Sequence, residues 1–82
     1  MAADSSIDTT IMQMVVGQWQ KTAMVIARTE EALRKAGEQV SWDKIAERIE
    51  TLDARGAIES QGDLTLWRNS EVRLPQPEAE DR

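Results

Sequence analysis

Charged side chains of both signs crowd one short segment near the C-terminus. These are Asp63, Arg68, Glu71 and Arg73. Carboxylates and guanidinium groups that converge around a loop can hold an anion or a cation, so the cluster is a candidate enzyme site. The same residues serve equally well as structural ion pairs that fix a loop, and we favour that interpretation.

The side chains that most often do chemistry in enzymes are missing from the sequence. The chain has no histidine and no cysteine, which removes the commonest general base, the thiol nucleophile and the usual zinc ligands. Ser41 has no histidine to activate it and fits better as a helix cap. The sequence also lacks a glycine-rich phosphate loop. It therefore predicts a protein that is not an enzyme and has no catalytic residue, cofactor or metal site.

Length and composition restrict the class of protein further. A chain of 82 residues with 40% apolar residues has room for one small domain, whose stability is expected to be marginal. We assign residues 6–75 to this domain, with a flexible N-terminus at 1–5 and a disordered acidic tail at 76–82. Because we find no signal peptide and no apolar run of membrane-spanning length, we expect a cytoplasmic protein.

The first part of the chain predicts helices but leaves their boundary open. Ser6 can cap a first helix. Apolar residues then recur at spacings of three and four, at Ile7, Ile11, Met14 and Val15. Gly17 either breaks this helix or is tolerated within one long helix that continues to Ala36, and we favour the break. Both alternatives bury Trp19.

A second helix is predicted for residues 18–35 and is ended by Gly37. Its inward stripe consists of Ala23, Ile26, Ala27 and Leu33. The neighbouring faces add Met24, Val25 and Ala32, which is more apolar surface than one stripe requires. This surplus predicts either deeper burial in the core or a second interface.

The third helix has the clearest start signal, and a hairpin follows it. Ser41 fits as the N-cap of this helix, which Gly56 ends. The apolar period then changes to two, which predicts strands at 57–60 and 70–74. The residues of the hairpin that face the core are Ile58, Val72 and Leu74. The hairpin also brings Arg73 near Glu59, in position for a cross-strand ion pair.

The order of these elements predicts the fold class. We expect an α+β fold that is mainly α, with two or three helices followed by a C-terminal β-hairpin, similar to a winged helix. The connection at 61–69 is long for a hairpin. Its apolar residues must therefore pack on the domain or form a short extra strand.

Winged helices often bind DNA, but the charges of this sequence do not favour that function. The third helix has three basic against four acidic residues, and the hairpin has two against three. A DNA-binding surface needs several cations to neutralise phosphates. The second helix has a basic excess and offers candidate phosphate contacts at Lys21, Arg28, Arg34 and Lys35. We interpret them as a solvated helix face and rank nucleic-acid binding as the alternative function.

Protein interaction is the favoured function. We expect the three tryptophans to lie in the core, with Trp42 covering its edge, because a small domain needs their large apolar area. Trp67 is an exception, since a tryptophan beside Arg68 in a loop can anchor a protein partner. The candidate interaction surface is Met14, Met24, Val25, Trp67 and Arg68. The predicted protein is a non-catalytic interaction module that binds another protein or a second copy of itself, and no membrane.

The end of the predicted domain carries a family resemblance. Residues 62–75 read GDLTLWRNSEVRLP, and they resemble the GDLxxxRxSEVRLP ending of a bacterial family of domains of unknown function. The resemblance covers roughly residues 10–75. Members of that family consist of this domain alone or carry it at the C-terminal end of longer uncharacterised proteins. The resemblance implies one domain without an assigned activity, cofactor or partner.

Overall fold

A computed structural model describes residues 3–76 of the chain. The three helices are α1 (Asp4–Met14), α2 (Thr22–Lys35) and α3 (Trp42–Ala54). The three strands are β1 (Gln20–Lys21), β2 (Glu59–Gln61) and β3 (Glu71–Arg73). A 3₁₀ helix, here called the wing helix (Leu64–Asn69), connects β2 to β3. The predicted α+β, mainly helical class is confirmed, and none of the described helices is long and apolar enough to cross a membrane.

The strands form an antiparallel sheet in which β3, the last in the chain, lies between β1 and β2. The predicted hairpin is therefore present, with its strand limits shifted by one or two residues. The sequence did not predict β1, whose residues Gln20 and Lys21 pair with Val72 and Glu71. The three helices precede the hairpin as predicted, and β1 is inserted between α1 and α2.

The second helix begins at Thr22, four residues later than predicted, because the chain first joins the sheet. The carbonyl of Val16 accepts a hydrogen bond from the N–H of Leu74 at 2.7 Å, and Thr22 donates to the carbonyl of Ser70 at 3.0 Å. These tertiary hydrogen bonds outweigh the modest helix propensity of the segment. The break that we favoured at Gly17 is confirmed, since α1 ends at Met14.

The first helix begins at Asp4 with Ala3 as its N-cap residue, three residues before the predicted cap. Ser6 is not its cap, because it lies inside the first turn, where its carbonyl accepts from the Thr10 hydroxyl at 2.9 Å. An aspartate in the first turn is favoured by the helix dipole, which supports the earlier start. Residues 1–2 of the predicted flexible N-terminus and 77–82 of the predicted acidic tail lie outside the described residues.

The face of α2 that enters the core agrees only in part with the predicted one, since Ile26 and Leu33 are buried as predicted and Ala23 and Ala27 are half-buried. The buried residues of α2 are Thr22, Val25, Ile26, Thr29 and Leu33. Val25 is completely buried, so the prediction that it contributes to an interaction surface is wrong. Two of the buried positions are threonines, and an apolar stripe drawn through alanines therefore had the wrong orientation. Met24, which precedes Val25 in the chain, is 42% exposed.

The core is aliphatic and contains none of the three tryptophans. It consists of Ile7, Ile11, Val15, Val25, Ile26, Leu33, Ile45, Ala46, Ile49, Leu52, Ile58 and Val72. Trp19 and Trp67 are half-buried, and Trp42 is 41% exposed. The expectation that the tryptophans lie in the core is therefore wrong. Branched aliphatic side chains from all three helices fill the centre and leave the large rings at its edge.

The third helix starts and ends where its local signals predict. Ser41 is the N-cap, and its hydroxyl accepts a hydrogen bond from the backbone N–H of Lys44 at 3.1 Å. Val40 packs against the core, as expected for a hydrophobic staple with Ile45. Gly56 follows the last turn and takes a positive φ of 81°.

Thr29 has a buried hydroxyl without a hydrogen-bond partner among the described residues. We expect Thr29→Val to stabilise the domain by about 1 kcal/mol, because valine keeps the shape and removes the unpaired polar group. Urea unfolding followed by circular dichroism measures the change. In the control, Thr22→Val, the lost hydroxyl accepts from Ser70 Oγ at 2.8 Å, so we expect a destabilisation of about 1 kcal/mol. If both substitutions destabilise the domain, the result contradicts the conclusion that the Thr29 hydroxyl has no hydrogen-bond partner.

Candidate interaction surface

Two tryptophans from different elements meet beside the wing helix. Trp42 begins α3, Trp67 lies in the wing helix, and their rings pack edge to face with centroids 5.6 Å apart. The guanidinium carbon of Arg68 lies 5.1 Å from the centroid of the Trp67 ring, within the range of a cation–π contact. Leu66 is 57% exposed. We call Trp42, Leu66, Trp67 and Arg68 the wing patch.

Local hydrogen bonds fix both parts of the wing patch. The Ser41 cap sets the start of α3 and therefore the position of Trp42. In the wing, Asp63 Oδ1 accepts from the hydroxyl of Thr65 at 2.6 Å and from its backbone N–H at 2.9 Å. The hydrogen bond from the hydroxyl is the main cause of a lowered pKa of the Asp63 carboxyl, and the hydrogen bond from the backbone N–H lowers this pKa further. Asp63 is therefore occupied in holding the start of the wing helix.

The charged cluster of residues 63–73 does not converge on one site. Arg73 Nε donates to Glu59 Oε1 at 2.8 Å, which confirms the predicted cross-strand ion pair. The guanidinium carbon of Arg73 also lies 4.4 Å from the centroid of the Trp19 ring. Glu71 accepts from the side-chain amide of Gln61. Asp63, Glu71 and Arg73 each have a local polar partner, as expected of residues that fix the wing.

A groove of about 480 Å³ adjoins the wing patch. Lys21 and Arg68 line it together with the amide side chains of Gln61 and Asn69 and with Glu71. Neither cation has an ion-pair partner among residues 3–76. Two cations without ion-pair partners and one carboxylate therefore line the groove on the side of the wing patch that meets the sheet.

The basic residues of α3 contact α1 instead of solvent. Arg48 donates from Nε and Nη2 to the two carboxylate oxygens of Asp8, at 2.9 and 2.7 Å. Lys44 Nζ lies 3.3 Å from Asp4 and 3.1 Å from Glu47. In a helix-turn-helix protein that reads DNA, the recognition helix brings its side chains to bases and phosphates. Here Lys44 and Arg48 are already neutralised within the domain, and only Arg55, the C-cap residue, has no ion-pair partner among residues 3–76.

The outer face of α3 is acidic. Asp43, Glu47 and Glu50 follow one another at helical spacings and are all exposed. In the described part of the chain, Asp43 and Glu50 have no ion-pair partner. The helix that would enter a DNA groove therefore presents carboxylates, which repel phosphates.

Acid is expected to weaken the contact between α1 and α3. The side-chain hydrogen bonds from Arg48 lower the pKa of Asp8 below its usual value. A carboxyl whose pKa is lower in the folded than in the unfolded chain adds stability above its unfolded pKa of about 3.9, and this contribution is lost as the pH falls through the folded value. The stability difference between the natural chain and Asp8→Asn should therefore be largest near neutral pH and shrink below about pH 4.

Urea unfolding of both chains between about pH 2 and pH 7 measures this dependence. The matched control is Glu50→Gln, which removes an exposed carboxylate in the middle of α3 that has no ion-pair partner within residues 3–76. We expect the stability of this control to follow that of the natural chain. A stability difference for Asp8→Asn that stays constant with pH would contradict the assignment.

The other residues predicted for an interaction surface lie apart from the wing patch. Met14 is half-buried and lines a separate groove with Arg28 and Lys35. Met24 is exposed on α2. Of the predicted surface residues, the structure brings Trp67 and Arg68 together and distributes the others over two helices and the core.

The predicted phosphate contacts do not form one basic face. Arg34 pairs with Glu30 at 3.1 Å, and Lys35 lies 3.6 Å from Glu31. Lys21 belongs to β1 and faces the groove beside the wing. The basic excess of the second helix is therefore divided between internal ion pairs and separate surfaces.

Sequence reasoning missed two members of the wing patch, Trp42 and Leu66. Trp42 precedes a well-capped apolar helix and was expected to cover the edge of the core. Leu66 was expected to pack, but the wing helix is kinked at this residue, with φ of −112° and ψ of 67°. No local signal indicated that Trp42 would meet Trp67, because the two lie in different elements.

Chemical groups for metal binding are also dispersed in the described part of the chain. Within residues 3–76, no group of three or more acidic side chains could hold a metal ion.

Comparisons with protein-family models, with curated proteins and with solved structures found no match for the chain. Its function must therefore be inferred from the geometry and charge of the wing patch.

Proposed function

We propose that this chain is a non-catalytic protein-interaction module that binds its partner through the wing patch. The observation that carries the proposal is the exposure of Leu66 (57%) and Trp42 (41%) in a patch that also contains Trp67 and Arg68. Tryptophan and arginine dominate the energetic centres of protein interfaces. Grouped exposed apolar side chains typically mark an interaction site.

The proposal is tested by placing a carboxylate on two different exposed faces. Leu66→Asp changes the wing patch, whereas Met24→Asp changes the outer face of α2. Both side chains are exposed, so both variants should keep the circular dichroism spectrum of the natural chain. Affinity capture from nuclease-treated lysate identifies a bound protein, which is then purified for titration.

We expect Leu66→Asp to weaken binding of that protein at least about tenfold. Met24→Asp should leave the Kd unchanged. The proposal fails if Met24→Asp abolishes binding while Leu66→Asp does not, because the interaction would then belong to α2. It also fails if neither substitution changes the Kd.

A nucleic-acid-associated module is the second candidate. It is favoured by the order of three helices and a hairpin and by the groove that Lys21 and Arg68 line. The neutralised cations and exposed carboxylates of α3 argue against it. Fluorescence anisotropy with labelled duplex DNA at about 50 mM salt tests it, because binding through phosphates must weaken steeply as salt rises. Absence of binding at about 100 µM protein excludes this candidate.

Two further expectations belong to the proposal. The module acts in the cytoplasm and needs neither a membrane nor a cofactor. Its resemblance to the bacterial family of unknown function covers roughly residues 10–75. The closing pattern at residues 62–75 includes the wing helix and β3. The first of its two arginines corresponds to Arg68, so the resemblance involves part of the surface proposed for binding.

A further inference from the structure

We propose that the wing patch binds the C-terminal end of a partner protein. The α-carboxylate of the partner's last residue lies on Arg68, and the apolar side chain of that residue packs against Leu66 and Trp67. This inference rests on the proposed function, because it uses the same surface and names the part of the partner that the surface binds. Two grooves that meet at Arg68 supply the polar and the apolar half of the site.

The two grooves share part of their lining. The groove of about 480 Å³ beside the sheet contains charged and amide side chains, and we call it the polar groove. A second groove of about 260 Å³ is lined by Thr65, Leu66 and Trp67, and we call it the wing groove. Arg68 and Asn69 line both. A ligand that fills both grooves therefore needs a polar and an apolar group close to each other.

Arg68 is the cation of the polar groove that a ligand can use. The charge of Lys21 is offset by Glu71, which lies opposite it on β3. The Arg68 guanidinium has no ion-pair partner within residues 3–76 and donates no hydrogen bond to them. It lies over the Trp67 ring. A guanidinium stacked on a ring keeps the N–H donors in its own plane, which can bind a carboxylate in a bidentate manner.

Asn69 adds groups that match a peptide bond. Its side chain is exposed and forms no hydrogen bond among the described residues. A side-chain amide carries a donor and an acceptor, and a peptide group of a ligand presents the same two groups. The carboxylate, the peptide group and the apolar side chain of a chain end thus each have a counterpart in the two grooves.

The shared lining favours a chain end over an internal acidic residue. In the last residue of a chain, the carboxylate and the side chain are bonded to the same Cα atom, so both lie near Arg68. In an extended internal segment, neighbouring side chains point to opposite faces. An acidic residue and the apolar residue beside it would then not enter both grooves. The ligand is therefore an apolar residue with a free carboxylate, a chain end of the kind that other peptide-binding domains capture.

Blocked amino acids test the carboxylate and the side chain separately. The isotope-labelled full chain is titrated in NMR with N-acetyl-leucine, with N-acetyl-leucinamide, which lacks the charge, and with N-acetylglycine, which lacks the side chain. We expect N-acetyl-leucine to shift the backbone amide signals of the wing helix with a Kd of about 1–10 mM. Each of the other two compounds should bind at least about fivefold more weakly. Equal binding of all three compounds overturns the proposal.

Substitutions of Arg68 test the residue assigned to the carboxylate. Arg68→Gln should abolish the preference for N-acetyl-leucine over its amide, and Arg68→Lys, which keeps the charge, should restore part of it. The matched control is Arg28→Gln, which makes the same change on an exposed arginine of α2 and should keep the full preference. Circular dichroism confirms that the variants fold. The proposal is overturned if Arg68→Gln keeps the preference or if N-acetyl-leucine causes no shift at about 50 mM.

Short peptides distinguish a chain end from a small acid and from an internal carboxylate. Acetyl-Gly-Ala-Gly-Ala-Leu with a free C-terminus should bind at least as tightly as N-acetyl-leucine, and its C-terminal amide at least about fivefold more weakly. Weaker binding of the free peptide than of N-acetyl-leucine means that the site takes a small acid and overturns the proposal. Tighter binding of acetyl-Gly-Leu-Glu-Gly-amide overturns it in favour of an internal acidic segment.

Failure of this inference is distinguishable from failure of the proposed function. The protein captured from lysate is treated with carboxypeptidase, and its binding is then compared with that of the untreated protein. We expect the treatment and Arg68→Gln each to weaken binding at least about tenfold. If Leu66→Asp weakens binding but these two changes do not, the wing patch remains the binding site and the role of the chain end is overturned. If none of the three changes the Kd, both proposals fail.

Discussion

Val25→Asp is expected to unfold the domain, whereas Met24→Asp is expected to leave it folded. The two residues are neighbours in the chain, but Val25 is fully buried and Met24 is 42% exposed. An unpaired carboxylate in an aliphatic core costs more than about 4 kcal/mol. A chain of this length has a total stability of about 4–12 kcal/mol. The substitution at Val25 therefore removes a large part of the stability or all of it.

Thermal and urea unfolding of both variants, followed by circular dichroism, measures the difference. The change at Met24 should alter the free energy of unfolding by no more than about 0.5 kcal/mol, because its side chain already contacts water. Comparable destabilisation at both positions would mean that α2 has a different orientation in the core. A folded Val25→Asp variant with an unfolded Met24→Asp variant would contradict the burial of Val25 and the exposure of Met24.

Gly62→Ala is expected to cause the second large effect, because it changes the start of the wing. Gly62 has a φ of 82°, and a Cβ atom there would lie 2.7 Å from the backbone oxygen of Asn69. The substitution adds a backbone clash to the cost of the left-handed conformation. We expect a loss of about 3 kcal/mol or more and a shift in tryptophan fluorescence as the wing helix moves.

The matched control is Gly37→Ala. Gly37 has a φ of 84°, but no atom lies within 4 Å of the position that its Cβ would take. This control carries the conformational cost alone, about 1–2 kcal/mol, with unchanged fluorescence. Urea unfolding measures both variants. Equal costs at the two glycines would show that the close approach to Asn69 does not limit the wing.

Short-range signals were sufficient to predict the three helices and the hairpin. The Ser41 cap, the change of apolar period after Gly56 and the break near Gly17 each depend on a few neighbouring residues. The strand β1 has no such signal, because its two polar residues become a strand only by pairing with β3, about fifty residues away. The orientation of α2 failed for a related reason, since buried threonines do not appear in an apolar pattern.

In the candidate site too, contacts between residues adjacent in the chain were predicted, and contacts between distant elements were not. Trp67 and Arg68 are adjacent in the chain, and their pairing was predicted from that adjacency. The contact of Trp42 with Trp67 and the contact of Arg48 with Asp8 join elements that are distant in sequence. Composition indicates that α3 carries cations, but only the packing of α1 against it shows that they are neutralised.

The central position of β3 determines when the fold can be completed during synthesis. The ribosome synthesises the chain from its N-terminus. The strand that β1 and β2 both require is therefore made after all the other helices and strands. Until residues 71–73 emerge, neither edge strand has a partner for its backbone hydrogen bonds. The sheet therefore forms only after β3 has been synthesised, and a nascent chain halted before Glu71 holds helices without a sheet.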